Sequence, residues 1–265
     1  MSNGTTSNPW VRFARTVRDH PDWLRVYVEG DSWFAFPGLF NRTSIPTWLV
    51  KFMGAKFAVY RVDDVGDTAA DMLSGKQRRR LRDRLKNDNA DFQLLLFSGG
   101  GNDVIDALKT IIRPNPGGVD ASSFIDFNAL RSTVDRVCGY HTELADLRDR
   151  YRPGCQIVTH TYDIPFPDGR KVRKLGIRKG PWIKPALKGI DKKFHRGIIR
   201  IVMDQFADGL VSTGRRLRKF TVVETRGTLT RTKDWGDEIH PTSKGFKKIA
   251  RKLRDELHRK FPRHI

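Results

Sequence analysis

The sequence predicts an α/β protein built on one five-stranded parallel sheet with helices on both faces. Five short apolar runs, typical of strands, alternate with longer segments of helical periodicity. The third run, Phe-Gln-Leu-Leu-Leu-Phe at 92–97, is apolar apart from Gln93, as expected for a strand buried on both faces of a parallel sheet. The 265 residues can bury a full hydrophobic core and fit a single domain, 1–265, better than two small ones.

The predicted strands and helices follow one another along the whole chain. Strands are expected at residues 24–29, 56–62, 92–97, 155–160 and 220–224. Helices are expected at residues 10–20, 67–88, 128–150, 194–218 and 242–261. Ligands of such sheets bind at the carboxyl ends of the strands, so the residues that follow each strand are the first candidates for a functional site.

The composition is strongly basic. Fifty Lys and Arg residues stand against thirty Asp and Glu residues, which gives a formal charge of +20. Such a field attracts polyanions such as nucleic acid, anionic lipid headgroups and acidic glycans, although the charge also suits a solvated surface. No helix-turn-helix, zinc-finger or RNA-recognition signature accompanies it, so nucleic acid is not the favoured partner.

Two further features bear on the compartment. The first twenty residues are polar and hold no apolar signal core, and no apolar run is long enough to span a membrane. Cys138 and Cys155 are expected to be reduced core residues, with a disulfide between them as the alternative. We therefore expect a cytoplasmic protein, with peripheral association to anionic membranes as the membrane contact that its charge would allow.

Glycine-containing turns follow the first two predicted strands. The first strand ends at Gly30-Asp31-Ser32, where the serine hydroxyl can be presented at the edge of the sheet. Because Asp and Ser both cap helices well, a helix N-cap is an equally good interpretation of these residues. The second strand is followed by a turn with Gly66, whose missing side chain lets a backbone N–H approach a ligand closely.

The third predicted strand ends in three glycines at 99–101, followed by Asn102 and Asp103. An Asn side chain can donate a hydrogen bond to an oxyanion, and Asp103 can cap the next helix and brace the loop. A phosphate-binding loop is the alternative interpretation. It is the weaker one, because no Lys-Ser or Lys-Thr pair follows the glycines.

A carboxylate and a histidine follow the last predicted strand. Asp237 lies three residues before His240, on a loop that precedes a helix, and a carboxylate so placed can orient an imidazole as a general base. The acidic cluster Asp234, Asp237 and Glu238 could alternatively bind a metal ion. Only one histidine lies within it and no second ligand group is near, so we predict no metal site.

In their order along the chain, these motifs resemble the four sequence blocks of the SGNH (GDSL-like) hydrolase superfamily. The motifs at 30–32, Gly66, 100–103 and 237–241 resemble the first to fourth blocks, and together they span nearly the whole chain. Trp33 follows the serine, where the lipolytic branch has Leu, so the match is to a GDSW-type member. The segment after the fourth strand also resembles one seen in uncharacterised bacterial members. The resemblance implies a flavodoxin-like three-layer α/β/α fold and hydrolysis of an ester or thioester through an acyl-enzyme.

The resemblance also implies a role for each motif residue. Ser32 would be the nucleophile, His240 its general base and Asp237 the carboxylate that fixes the tautomer of His240. The oxyanion hole would consist of the backbone N–H groups of Ser32 and Gly66 and the side chain of Asn102. Asp31 and Asp103 would support these groups, and no metal or organic cofactor is needed.

A basic segment at 164–200 follows the fourth strand and is expected to lie beside the site or over it like a lid. It holds twelve Lys or Arg residues against two Asp residues, a net charge of +10. Aromatic and aliphatic side chains are interleaved with the charges; they include Phe166, Leu175, Trp182, Ile183 and Leu187. Such a segment suits an anionic lipid surface or an acidic acylated substrate, with Trp33, Phe166 and Trp182 as candidate substrate contacts. A solvated excursion packed by a few aromatic side chains is the alternative. Further basic surfaces are expected at 76–86 and 244–263.

These expectations combine into one predicted function with two alternatives. The favoured one is a serine esterase that acts on a small acyl ester. The alternatives are a carbohydrate O-acetylesterase and a polyanion-binding protein that keeps a hydrolase scaffold. The preferred acyl-chain length would separate the two esterases, and a steep salt dependence of DNA binding would favour the binding protein.

Overall fold

The computed structural model describes residues 8–35, 44–54, 56–115, 117–174 and 177–264. Within these ranges the strands are Leu24–Gly30 (β1), Phe57–Arg61 (β2), Leu94–Ser98 (β3), Gln156–His160 (β4), Val172–Lys174 (β5), Ile177–Lys179 (β6) and Phe220–Val223 (β7). The α-helices are Pro9–Asp19 (α1), Ser32–Ala35 (α2), Ile45–Met53 (α3), Ala69–Met72 (α4), Gly75–Leu85 (α5), Gly101–Ile111 (α6), Phe127–Tyr151 (α7), Lys192–Arg216 (α8) and Ser243–Lys260 (α9).

Five of the strands form one parallel sheet in the order β2-β1-β3-β4-β7. This is the strand order of flavodoxin-like sheets, and the predicted fold class is confirmed. β1 lies between β2 and β3. The chain therefore forms β2 on one side of β1 and then crosses to form β3 on the other side. Gly30, the last residue of β1, pairs with Ser98, the last residue of β3. The turns that follow these two strands are therefore neighbours.

The side chains of the central strands alternate between two cores. Val26 and Val28 of β1 lie in one core, which also contains apolar residues of α3 and α9. Tyr27, between them in sequence, lies in the other core with residues of α1, α5 and α7. A sheet buried on both faces explains why its strands read as continuous apolar runs.

In four regions the observed structure differs from the helices that the sequence predicts or adds to them. Residues 67–88 form two helices rather than one, because the chain turns at Ser74 and Gly75, where φ of the glycine is +48°. α3 and α6 were not predicted at all. The basic segment contains the antiparallel hairpin of β5 and β6, and its last residues, from Lys192, belong to α8. Leu175 lies outside the described residues.

The described part of the chain contains no helix long and apolar enough to cross a membrane. The basic surface predicted at 76–86 coincides with α5, and several of its arginines have partners within the protein. Arg78 bonds Glu143 at 2.5 Å, and Arg80 bonds the buried Glu29 at 2.9 Å. The charge of α5 is thus partly used in attaching this helix to the sheet and to α7.

A fully buried histidine lies in the second core. His141 of α7 packs edge-on against Phe97, and its Nδ1 hydrogen-bonds to the carbonyl oxygen of Val137 at 3.0 Å. Its Nε2 has no hydrogen-bond partner among the described residues. Burial disfavours the imidazolium and lowers the pKa of His141 to about 4.

We expect His141→Leu to reduce the acid sensitivity of the fold. The folded pKa of about 4 is below the ordinary value of 6.5, so the unfolded chain binds more protons between these two values. Stability from this residue is therefore present above pH 6.5 and is lost as the pH falls. When the pH falls from 7 to 5, the free energy of unfolding, measured with urea, should decrease by about 2 kcal/mol less in the variant than in the wild type. The exposed His258→Leu is the control, and equal losses in all three proteins would contradict this assignment.

Candidate active site

Ser32 lies at the carboxyl edge of the sheet, where β1 passes directly into α2. Gly30 permits this turn, because a Cβ there would lie only 2.8 Å from the Cβ of Ser98 on β3. The backbone N–H of Asp31 donates to the carbonyl oxygen of Ser98 at 2.9 Å and continues the pairing of the two strands. Ser32 begins α2 and is only 4% exposed.

The side chains of Ser32, His240 and Asp237 form a continuous chain of hydrogen bonds. His240 Nε2 lies 2.9 Å from Ser32 Oγ, and His240 Nδ1 lies 2.8 Å from Asp237 Oδ1. An ionised carboxylate can only accept, so Nδ1 carries the proton and Nε2 presents a lone pair to the serine hydroxyl. The structure thus brings together three residues that the sequence motifs singled out.

A tight loop holds Asp237 and His240 in this arrangement. Asp237 Oδ1 also accepts the backbone N–H groups of Ile239 at 3.1 Å and His240 at 2.9 Å. The loop is closed by the backbone N–H of Gly236, which donates to the carbonyl oxygen of His240 at 2.7 Å. Burial alone would raise the pKa of Asp237, but its hydrogen bonds and its electrostatic interaction with His240 outweigh burial, and the pKa is lowered. Asp237 therefore stays ionised beside the imidazole.

Asp31 is buried directly behind the serine and connects three strand ends. Its Oδ1 accepts the backbone N–H of Trp33 and the hydroxyl of Ser98, both at 2.9 Å. Its Oδ2 accepts the hydroxyl of Tyr162, which follows β4. Burial raises the pKa of Asp31 to about 6, although these three hydrogen bonds favour the charged form.

His160, the last residue of β4, extends this buried network. Its Nδ1 lies 2.9 Å from the carbonyl oxygen of Thr161, and its Nε2 lies 3.0 Å from Ser98 Oγ. Burial lowers the pKa of His160 to about 4, so the imidazole is neutral. His160 thereby connects the end of β4 to Ser98 and, through Ser98, to Asp31.

The candidate oxyanion groups lie on the two turns beside Ser32. Asn102, in the first turn of α6, donates from Nδ2 to the carbonyl oxygen of Asp67 at 2.8 Å. That bond connects Asn102 to the loop that carries Gly66, which is exposed with φ of +92°. Asp103 accepts the backbone N–H groups of Ala69 at 2.7 Å and of its neighbour in α4. Asp103 therefore braces this loop as predicted, but the helix whose amino terminus it holds is α4, which precedes it.

A small cleft, with an enclosed volume of about 30 Å³, opens over Ser32. Its lining is mostly apolar and includes Trp33, Asn102, Ile105, Met203, Trp235 and Ile239. Gly66 is not among the lining residues. The indole N–H of Trp33 donates to the carbonyl oxygen of Ile239 at 3.1 Å, and its ring stacks on His160. Trp33 thus fixes the serine turn to the loop that carries His240.

Glu238, which lies between Asp237 and His240 in sequence, anchors the basic segment. Its fully buried carboxylate accepts backbone N–H groups at 2.7 to 3.1 Å, from Gly169, Trp182, Ile183 and Lys184. As a result the indole ring of Trp182 lies edge-on to His240, with centroids 5.3 Å apart. Phe166, the other aromatic candidate of this segment, packs on the guanidinium of Arg196.

The acidic cluster does not converge on a common point. Asp237 faces His240 and Glu238 faces the backbone of the basic segment, while Asp234 bonds Lys248 at 2.7 Å. Among the described residues, no group of three or more His, Cys, Asp and Glu side chains could hold a metal ion. Both cysteines are free thiols.

No protein-family model matches this sequence, and no curated protein is detectably similar to it. Several solved structures nevertheless share its fold. An extracellular lipase from Streptomyces rimosus is 14% identical, with a TM-score of 0.58 over 88% of this chain and 99% of that one. A GDSL-like lipase from Parabacteroides merdae is 13% identical, with a TM-score of 0.51 over 88% and 94%. A carbohydrate esterase of family 3 from Talaromyces cellulolyticus is 13% identical, with a TM-score of 0.53 over 90% and 98%.

The chain has the fold of the SGNH hydrolases. In this SGNH fold, Ser32 follows β1, Gly66 follows β2, Asn102 follows β3 and His240 lies on the long connection after β7. All four residues that resemble the SGNH blocks therefore come from the carboxyl edge of the sheet, as the rule for parallel sheets predicts.

Sequence reasoning missed several residues of the candidate site. Ser98, His160 and Tyr162 lie at or just beyond the ends of β3 and β4, a position that could have marked them as candidates. Glu238 gave no such signal, because an acidic residue in an acidic loop is most often solvated.

We expect Glu238→Gln to destabilise the SGNH-type fold by about 3 kcal/mol, since a Gln side chain presents an amide N–H₂ to two of the backbone donors. Urea unfolding measures this loss. Glu143→Gln, which removes only the half-exposed partner of Arg78, is the control and should cost less than about 1 kcal/mol. Similar losses in the two variants would show that Glu238 does not anchor the segment.

Proposed function

We propose that this protein is a serine hydrolase of carboxylic esters. The observation that carries this proposal is the buried chain of hydrogen bonds from Ser32 through His240 to Asp237, which opens on an apolar cleft. A serine is a weak nucleophile by itself, and a hydrogen-bonded imidazole with an oriented second nitrogen is what activates it. The lipases and esterases that share the fold agree with this assignment.

The proposed reaction proceeds in two halves. His240 Nε2 takes the proton of Ser32 as Oγ attacks the acyl carbon, and the imidazolium is stabilised by Asp237. His240 then returns the proton to the departing alcohol, which leaves an acyl group on Ser32. A water molecule, deprotonated by His240, attacks this acyl group, and Ser32 recovers its proton when the carboxylic acid leaves.

The negative charge on the carbonyl oxygen needs donors on the side of the cleft away from His240. We assign these to the backbone N–H groups of Ser32 and Gly66 and to the side chain of Asn102. One amide hydrogen of Asn102 bonds Asp67, which fixes the plane of the amide and leaves the second hydrogen for the oxyanion. Such donors need not reorganise during the reaction, which is the source of their large effect.

A carbohydrate O-acetylesterase is the second candidate. The small enclosed volume of the cleft, about 30 Å³, supports it, because so little space holds a short acyl chain more readily than a long one. A carbohydrate esterase also appears among the structures of similar fold. A lipid-type esterase would have to extend its acyl chain beyond the described lining of the cleft.

The first test is hydrolysis of p-nitrophenyl esters with acyl chains from acetyl to palmitoyl. Ser32→Ala should abolish turnover, because no other group can form the acyl-enzyme. Exposed Ser122→Ala should keep the wild-type rate. An optimum at acetyl would select the acetylesterase, whereas an optimum at longer chains would select the lipid-type esterase.

A fluorophosphonate probe separates a slow enzyme from an inactive scaffold. It should add its mass to the peptide that contains Ser32 in the wild type and leave Ser32→Ala unlabelled. Absence of both turnover and labelling would refute the serine mechanism and favour a binding protein with a hydrolase scaffold.

The oxyanion assignment predicts that Asn102→Ala keeps the fold and lowers kcat by about 100- to 1000-fold, with a small change in KM. The loss falls on kcat because the donor acts on charge that develops only in the transition state. Steady-state kinetics together with a thermal melt would test it, with Asn128→Ala, an exposed asparagine of α7, as the control. A variant with near-wild-type kcat would remove Asn102 from the oxyanion hole.

A further inference from the structure

A second, wider groove of about 450 Å³ lies next to the cleft. Three cationic side chains line it: Lys184, Lys192 and Arg196. Phe166 and Asp168 also line the groove. The groove is therefore strongly basic, and it belongs to the segment that carries half of the formal charge of the protein.

The positive charge of the groove is not neutralised within the protein. Asp168, its acidic residue, bonds Arg170 at 2.7 Å and already has a cationic partner. Lys184, Lys192 and Arg196 form no ion pair in the part of the chain that the structure describes. Three uncompensated cations on one concave surface favour an anionic ligand.

Arg196 is held in place to receive such a ligand. Its guanidinium stacks 3.7 Å from the ring centroid of Phe166, and its Nη1 donates to the carbonyl oxygens of Ile164, at 2.9 Å, and Pro165. Its Nε and Nη2 make no hydrogen bond to the described residues. A guanidinium fixed on one side and open on the other loses little entropy when it binds an oxyanion.

Two structural links fix the groove relative to the proposed catalytic residues. Asp163 and Pro165 line the cleft, and the next residues of the chain, from Phe166, line the groove. In addition, the backbone N–H of Lys184 bonds Glu238 at 3.0 Å, two residues from His240. The cleft and the groove are therefore lined by consecutive parts of one stretch of chain.

We propose that the groove binds a phosphate group carried on the alcohol portion of the ester substrate, an inference that rests on the proposed esterase function. The cleft over Ser32 is mostly apolar and suits the acyl chain, whereas the groove suits a charged alcohol. Phosphate matches the groove, because its tetrahedral oxygens can bind a guanidinium and two ammonium groups at once.

The kinetic test compares two esters that differ only in the phosphate: 1-butyrylglycerol and 1-butyrylglycerol 3-phosphate. The short acyl chain keeps both in monomeric solution, so adsorption to a lipid surface does not enter. We expect the wild type to prefer the phosphate ester about tenfold in kcat/KM, mainly through KM, and salt should weaken this preference. In Lys184→Gln/Lys192→Gln the preference should fall below about threefold, since an exposed ion pair changes affinity by up to about fivefold.

Lys188→Gln is the matched control, because Lys188 is an exposed lysine of the same segment outside the groove. It should keep the preference of the wild type. No preference in the wild type would overturn the proposal. An equal loss in Lys188→Gln would also overturn it, because the effect would then come from the general field of the protein.

A binding measurement separates failure of this inference from failure of the esterase function. Titration calorimetry on Ser32→Ala would compare glycerol 3-phosphate, inorganic phosphate and glycerol. Glycerol 3-phosphate should bind most tightly and lose affinity in the double lysine variant made in the Ser32→Ala background. Binding of inorganic phosphate with equal or higher affinity would overturn the assignment to a substrate group. If neither ester is hydrolysed, the esterase proposal fails, whereas this titration still decides whether the groove binds the phosphate ester group.

Discussion

The buried carboxyl group of Asp31 is the interaction on which the geometry of the site depends. It accepts hydrogen bonds from Ser98 at the end of β3 and from Tyr162 beyond β4, while its own backbone continues β1 into the serine turn. Three separate strand ends are thereby held at one point beneath Ser32. A polar group buried so deeply is tolerated only when its partners are complete, and the network through His160 supplies them. The serine turn is therefore joined by hydrogen bonds to the ends of β3 and β4.

A second buried carboxylate gives the basic segment a fixed position. Glu238 accepts backbone N–H groups from two parts of the segment, so the chain near Gly169 and the chain near Trp182 are joined at a point beside His240. The inner part of the segment is thus attached to the loop that carries His240. Three of its cationic residues, Lys184, Lys192 and Arg196, line the described groove. The structure thus combines a backbone fixed by Glu238 with a basic surface beside it.

Local sequence signals were sufficient to predict the sheet and the residues at its carboxyl edge. Apolar runs and the turns that follow them are each encoded in only a few consecutive residues. Ser32, Asn102, Asp237 and His240 could be found in this way. The partners of Glu238 could not, since they lie 54 to 69 residues away and are backbone groups without a sequence signature. α3 escaped prediction because it is short and mostly apolar, with Lys51 as its one charged residue, so it has no polar periodicity.

Ser32 and His240 are 208 residues apart in sequence, although their side chains touch. Ser32 is therefore synthesised 208 residues before the histidine that its side chain contacts. A polypeptide that has grown only as far as β7 holds the serine turn but lacks His240. Under the proposed mechanism, hydrolysis can begin only after the stretch that follows β7 has been synthesised and has folded against the serine turn.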